Sequence, residues 1–388
     1  MGAGAAAVAV VTAVFAWGAG TVAATTDRNG SACATALATC LNEFSSGTTC
    51  TPSLPVPIRE LSRTLPESGY NLTLLRPGVF SYLDGVYTSL LVWEPKGRQL
   101  VVVDAADSPA SNTDGGAGTL LNAAVDEVLD GATPRKVHIL YSHAHLDHIG
   151  ASHRVVEHLR AAHPAVRVAI WGTDEADEMV QRSSTRRALR VTRRVPRSGA
   201  RLSLTRGLRV DLHVVGGHTA TDLAIHIPPT KRAGGAPGVL HHADVVFPGW
   251  SPPYTLAFTE DVGRFRDVHT QLLELDWEVF SGGHLTRLGT RADVAASRRY
   301  ATDLFEAAAL AIATVDNKAF LEAGGGAVAD PQSPLFGNTW ANWDLLRQLQ
   351  QDVCAQAMVA KWGCVLAGMD VMIRPNCFAA IIHLLVEG

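Results

Sequence analysis

The sequence predicts an α/β layered domain with two β-rich halves, followed by a helical tail. Apolar β-branched runs alternate with stretches of helical spacing between residues 78 and 171. A second series of short apolar runs lies between residues 208 and 280. From Arg291 onward the apolar residues recur at helical intervals instead.

The first half opens with Val79-Phe80-Ser81-Tyr82 and Tyr87-Thr88-Ser89-Leu90-Leu91-Val92-Trp93. The turn Pro95-Lys96-Gly97 leads into a strand over residues 99–104, so the start reads as a meander of paired strands. Leu120, Leu121, Ala124, Val125, Val128 and Leu129 mark a helix face. A strand over 137–141, a helix over 155–162 and a strand over 166–171 continue the alternation. The second half places strands at 208–215, 223–227, 239–243 and 276–280, with a Gly-rich loop at 231–238. In the tail, Ala301, Leu304, Phe305, Ala308, Ala311, Ile312 and Val315 form one apolar face. Further helices are predicted over 340–362 and 378–386. The domain plan is therefore a leader at 1–24, an irregular cysteine-containing lead segment at 25–74, a catalytic domain at 75–300 and a helical extension at 301–388.

The leader is a run of small apolar residues without charge, and Val22-Ala23-Ala24 fits a signal-peptidase site. This predicts a secreted or periplasmic protein that begins near Thr25. Because about 20 apolar residues also suffice to span a bilayer, an uncleaved leader would make it membrane-anchored. The six cysteines agree with export. Cys33, Cys40 and Cys50 lie near the start, and Cys354, Cys364 and Cys377 near the end. If all pair, at least one disulfide must join the two clusters. Asn29-Gly30-Ser31 and Asn71-Leu72-Thr73 are glycosylation sequons.

A net charge of −4 argues against nucleic acid as a partner. Yet ten arginines and no acid lie between Arg182 and Arg209. Such a run reads first as a solvated surface, and second as a patch for an anionic ligand.

The chemistry concentrates in Ser142-His143-Ala144-His145-Leu146-Asp147-His148, directly after an apolar strand. His218, Asp244 and His284 follow at wide spacing, each after another apolar run. Imidazole nitrogen and carboxylate oxygen suit Zn²⁺ and Fe²⁺. Strand ends that carry seven such groups read as a metal site. His138, His153, His158, His163, His213, His226 and His269 read as structural or solvated. His241 and His242 adjoin Asp244, and Asp222 could serve a ligand histidine or cap a turn.

In these residues and their order the chain resembles the metallo-β-lactamase superfamily, over roughly residues 75–300. The resemblance implies a four-layer αββα sandwich with the helical tail appended to it. It implies His143, His145 and His218 at one zinc ion, and Asp147, His148 and His284 at a second, with Asp244 bridging. Asp147 would orient the bridging hydroxide and accept its proton, while Asp104 would support the metal loop without binding metal. The implied activity is hydrolysis of an ester, lactone or amide-like carbonyl in a small molecule. Tyr87, Trp250 and Tyr254 are the candidate substrate contacts. The alternative is a mononuclear Fe²⁺ dioxygenase, because persulfide dioxygenases of this superfamily keep the same residues. Superfamily nucleases share the motif too, but the acidic balance and the predicted export argue against that branch.

Overall fold

The computed structural model describes residues 30–45, 54, 56, 60, 65–106, 108, 118–183, 188–205, 208–230, 235–284, 287–322 and 328–388. The predicted leader and Cys50 lie outside these residues, as does the side chain of Cys40. The chain divides into two compact units. One, Ser62–Pro248 and Thr259–Arg298, is a β-sandwich; the other, Met1–Leu61, Gly249–Phe258 and Arg299–Gly388, is helical in its described residues.

A helix, α1 (Gly30–Ser45), precedes the sheets. The first sheet follows chain order: β1 (Asn71–Arg76), β2 (Val79–Leu83), β3 (Thr88–Glu94), β4 (Gln99–Val103), β5 (Lys136–Leu140), β6 (Arg167–Gly172) and β7 (Arg193–Arg194). The strands β2 to β4 form the predicted meander, antiparallel throughout, and β1 adds a further antiparallel strand at its edge. From β4 the pairing is parallel, so each return requires a crossover. The crossovers carry α2 (Thr119–Leu129), the single turn α3 (Leu146–Ile149), α4 (Ser152–Ala162) and α5 (Asp174–Arg182).

The second sheet runs in spatial order β12-β11-β10-β9-β8. Its strands are β8 (Ala200–Thr205), β9 (Leu208–Val214), β10 (Leu223–Ile227), β11 (Val239–His241) and β12 (Val279–Ser281). The helix α6 (Val262–Glu274) makes the crossover between the parallel pair β11 and β12.

Alternation along the central strands explains the layers. Leu91, Trp93, Leu100 and Val102 pack with Leu121, Val125, Val155 and Leu159 of α2 and α4. Their neighbours Leu90, Val92, Val101 and Val103 face the other way, onto Leu212, Ile225 and Val239 of the second sheet. A strand buried on both faces reads as an unbroken apolar run, as residues 100–103 do. On the second sheet, Arg264 of α6 donates Nε–H to the Val215 carbonyl at 2.8 Å. The αββα order is thus complete within the sandwich unit.

Two predicted boundaries shift. The sandwich begins before residue 75, because β1 pairs with β2 through Leu72↔Tyr82 and Thr73↔Ser81. This edge strand is largely exposed, so it lacks the apolar run that marks the inner strands. The lead segment is also not wholly irregular, since α1 occupies residues 30–45. Its alanines favour helix, and Cys33, Leu37, Leu41 and Phe44 recur at helical spacing within an otherwise irregular Thr- and Ser-rich stretch.

The helical unit takes α7 (Arg291–Thr314) from Arg299 onward, with α8 (Asn317–Glu322), α9 (Thr339–Trp362) and α10 (Met369–Val386). Cys354–Cys377 joins α9 to α10, and Cys33–Cys364 joins α1 to the turn between them. The inter-cluster bridge predicted from cysteine spacing is therefore present, and two disulfides fit an oxidising compartment. The helix α10 is long and apolar enough to cross a membrane, but Ile373, Cys377, Ala380 and Ile381 are buried inside the unit.

Candidate metal centre

The strand β5 ends in the metal loop because Asp104 anchors the start of that loop. The Asp104 carboxylate accepts from Ser142 N at 2.8 Å and Ser142 Oγ at 2.7 Å. It also lies 3.3 Å from His148 Nδ1 and 3.3 Å from His241 Nε2. Four donors match the capacity of a carboxylate. Burial opposes the ionised form of Asp104, but the bonds from His148 and His241 outweigh it and hold its pKa well below the usual range. Both Asp104 and Asp244 sit on left-handed backbone, with φ of 53° and 63°. That conformation is uncommon outside Gly, Asn and Asp, and it aims both carboxylates into the cluster.

Hydrogen bonds also set the imidazole tautomers. The Ser142 hydroxyl donates to Asp104, so at 2.9 Å it is left to accept from His143 Nδ1. His143 Nε2 is then a free lone pair. It is buried and has no hydrogen-bond partner among the described residues. His148 likewise turns Nδ1–H toward Asp104 and Nε2 inward.

The inward atoms form two groups: His143, His145, His218 and Asp244, then Asp147, His148 and His284. Asp244 Oδ2 lies 3.5 Å from His143 Nε2, 3.6 Å from His218 Nε2 and 3.2 Å from His148 Nε2. Its Oδ1 lies 3.1 Å from His284 Nε2. One carboxylate therefore faces both groups. His145 Nδ1 is 2.8 Å from His218 Nε2, and His148 Nε2 is 3.0 Å from His284 Nε2.

These residues fit zinc. Ligands at about 2.0–2.1 Å around a tetrahedral ion stand roughly 3.3 Å apart. Inward ring nitrogens that converge in pairs need either a proton or a cation between them. Burial lowers His143 well below the usual imidazole range and brings His218 to about 4, so both favour the neutral, ligating form. Burial also opposes charge on Asp244, but the His148 and His284 imidazoles overcome it and keep the carboxylate ionised.

Local backbone packing makes the remaining placements. The turn α3 lifts Asp147 and His148 out of the loop after His145. Gly283 has φ 83°, and a Cβ there would meet Ala243 Cβ at 2.8 Å and His148 Cε1 at 3.1 Å, so glycine is required before His284. Tyr87 pairs by a β-bridge with His284, and its hydroxyl donates to Asp147 Oδ2 at 3.3 Å. Phe247 stacks on His284 with centroids 6.1 Å apart.

All seven predicted ligands converge, and Asp104 and Tyr87 join them. Asp222 caps a turn: it accepts from the backbone N–H groups of His218 and Thr219. Burial raises its pKa to about 7. Trp250 and Tyr254 belong to the helical unit. There Trp250 pairs with Ala367 and packs on Gly368. Tyr254 opens the turn Tyr254–Phe258, whose residues 255–258 have φ between 48° and 60°. Asn376 braces that turn by accepting from Leu256 N at 2.8 Å and donating to Pro252 O at 2.9 Å. Three contacts were not legible as such: the Ser142 relay, the His241 bond to Asp104, and the Phe247 stack. Only the position of Ser142 beside His143, and of His241 near Asp244, hinted at them.

An αββα sandwich carrying this ligand set, in this order at strand ends, decides the fold. This is the metallo-β-lactamase fold. No protein-family model matches the chain, and no curated protein matches it. Among solved structures, it is similar to a Cronobacter sakazakii metallo-β-lactamase with a HARLDQ motif, at 15% identity and TM-score 0.42, over 61% of this chain and 92% of that one. It is similar to BJP-1, a subclass B3 metallo-β-lactamase of Bradyrhizobium japonicum, at 15% identity and TM-score 0.43, over 63% and 94%. ETHE1 from Myxococcus xanthus aligns at 15% identity and TM-score 0.39, over 60% and 84%. All three TM-scores lie below 0.5, so the fold is read from this chain's own sheets and ligands.

Much of the described part of the arginine run is ion-paired. Arg190 makes a two-pronged bond to Asp177, and Arg194 and Arg197 pair with Asp174 and Glu175. Arg201 and Arg209 share Asp211. The acids come from α5 and β9, next to the run in space, which a scan of the run alone does not show. Arg186, Arg187 and Arg206 lie outside the described residues.

Proposed function

We propose that the chain is an exported, zinc-dependent hydrolase that holds two metal ions and cleaves an ester, lactone or amide-like bond in a small molecule. One observation carries the reading: the Asp244 carboxylate lies within 3.6 Å of inward nitrogens from both ligand groups. A residue so placed can serve two ions at once. Bound zinc supplies Lewis acidity toward a carbonyl and acidifies water near neutral pH.

The chain's own groups do the rest. Asp147 has a side chain 43% exposed, the most open carboxylate of the cluster, and it can take a proton from an incoming water at Oδ2. His143 and His148 are held in orientation through Nδ1 by Ser142 and Asp104, so the site is organised before substrate arrives. Trp250 and Tyr254 remain proposed as contacts that shape substrate preference. Export is supported by the two disulfides.

The test is a screen of paired ester, lactone, thioester and β-lactam substrates, run together with metal quantification. Two zinc ions per chain with turnover of a carbonyl substrate are expected. One iron per chain with oxygen consumption would replace this reading by the dioxygenase.

A further inference from the structure

Tyr87 is set apart from the other aromatic residues near the site by the number of ties that fix it. Asp84, almost fully buried, accepts from Tyr87 N at 2.9 Å and Val86 N at 3.2 Å. Tyr82 donates its hydroxyl to the other oxygen of Asp84 at 3.3 Å. The turn before β3 is therefore pinned from the first sheet. On its far side, Thr88 N donates to Gly283 O at 2.8 Å, and Tyr87 bridges to His284. The same short segment thus holds the loop that carries His284.

The side chain faces the ligands. Its ring lies 4.7 Å from the His284 ring and 5.5 Å, edge-on, from the His148 ring. Its hydroxyl donates to Asp147 Oδ2, the oxygen that stands 3.6 Å from His148 Nε2 and 3.8 Å from His284 Nε2. Tyr87 touches all three members of one ligand group. It makes none of these contacts to His143, His145 or His218 among the described residues. Only 8% of Tyr87 is exposed, which leaves little of it to meet a substrate.

We infer that Tyr87 is a positioning residue for the second metal subsite: it holds the exposed Asp147 carboxylate and the two imidazoles in ligating geometry, and it acts on that subsite alone. The physical basis is selective. Asp147 sits on a one-turn helix and is free to rotate toward water, whereas the buried ligands are not. Without the phenol, the carboxylate loses the bond that keeps Oδ2 turned inward. Partners of metal ligands typically change affinity by about 10–100-fold. This inference rests on the two-metal reading above.

The experiment is a stepwise zinc titration of the full chain against a competing chelator, for wild type, Tyr87→Phe and Asp147→Asn. Tyr87→Phe keeps the ring and removes only the hydroxyl. The expected result is two binding steps in wild type, with one step weakened about tenfold in Tyr87→Phe. The other step and the melting temperature should stay unchanged. Asp147→Asn should weaken the same step further. Wild type with a single step would overturn the two-metal reading. Two wild-type steps that Tyr87→Phe leaves unaltered would overturn the role of Tyr87. Equal weakening of both steps would also overturn it, because Tyr87 would then support the whole centre.

Discussion

His143 and His218 have side chains 0% and 1% exposed, whereas Asp147 and His284 are 43% and 19% exposed. The two ligand groups of one centre thus differ in their most open member, although His145 of the first group is half-buried as His284 is. The first is walled by β5, the turn before His218 and the Ser142–Asp104 relay. The second depends on a one-turn helix, a glycine-entered loop and the Tyr87 ring. His148 belongs to the second group but is buried like the first, because Asp104 holds it. Enclosure here follows from how many independent elements fix each side chain, not from which ion it would bind.

The comparison breaks most severely at Asp244. Asp244→Ala removes the carboxylate facing both groups, so both ions and all hydrolysis should be lost. The fold should survive, because the sandwich core lies in other residues. Metal analysis with circular dichroism checks this; two tightly held ions in that variant would refute the shared role. Asp147→Asn should separate the groups. We expect one ion retained, the other lost, and hydrolysis sharply reduced, as measured by metal stoichiometry beside turnover. A variant that loses both ions together would show that the groups do not act separately.

Asp104→Ala probes the support under both groups. It would leave Ser142, His148 and His241 without their common acceptor. Zinc affinity should fall about 10–100-fold, and stability by roughly 1–3 kcal/mol for the buried donors left unpaired. Chelator competition and chemical denaturation read the two effects separately. The smallest effect is expected away from the centre. Arg190→Ala should lower stability only slightly, since the arginine is largely exposed. The bond from Arg190 is the main reason Asp177 has a lowered pKa. This contribution is fully present above the unfolded carboxylate pKa of about 4 and is lost as pH falls through the lower folded value. Wild type and variant should therefore converge in stability in acid, which denaturation at a series of pH values would show.

The ligands were legible because metal chemistry restricts residue type, and strand ends restrict position. The inner strands were legible because burial on both faces demands unbroken apolar runs, as in residues 100–103. Residues less constrained by burial were harder to read. The strand β1 is mostly exposed, and α1 lies in a Thr-, Ser- and Pro-rich stretch where the spacing of Cys33, Leu37, Leu41 and Phe44 is easily passed over. The helix α10 was foreseen only from residue 378, because Pro375 lies inside it, a residue that ordinarily ends a helix. Contacts between distant segments were not legible at all. Nothing local in Asp84 or Tyr87 shows that they meet His284, and nothing in the arginine run shows the acids of α5. Such pairings arise only when the chain closes on itself.

The Cys33–Cys364 bridge has a consequence for the order of assembly. It joins residues 331 apart in sequence, and the whole sandwich lies between them. On a ribosome, every sandwich residue emerges before Cys364 does. The sandwich can therefore fold while the helical unit still lacks its last two helices, and the bridge can close only afterwards. Closing so long a loop reduces the freedom of the unfolded chain by an amount worth on the order of 5 kcal/mol in a chain-entropy picture. The bridge acts as a late clasp, one that rewards a chain already folded in its middle.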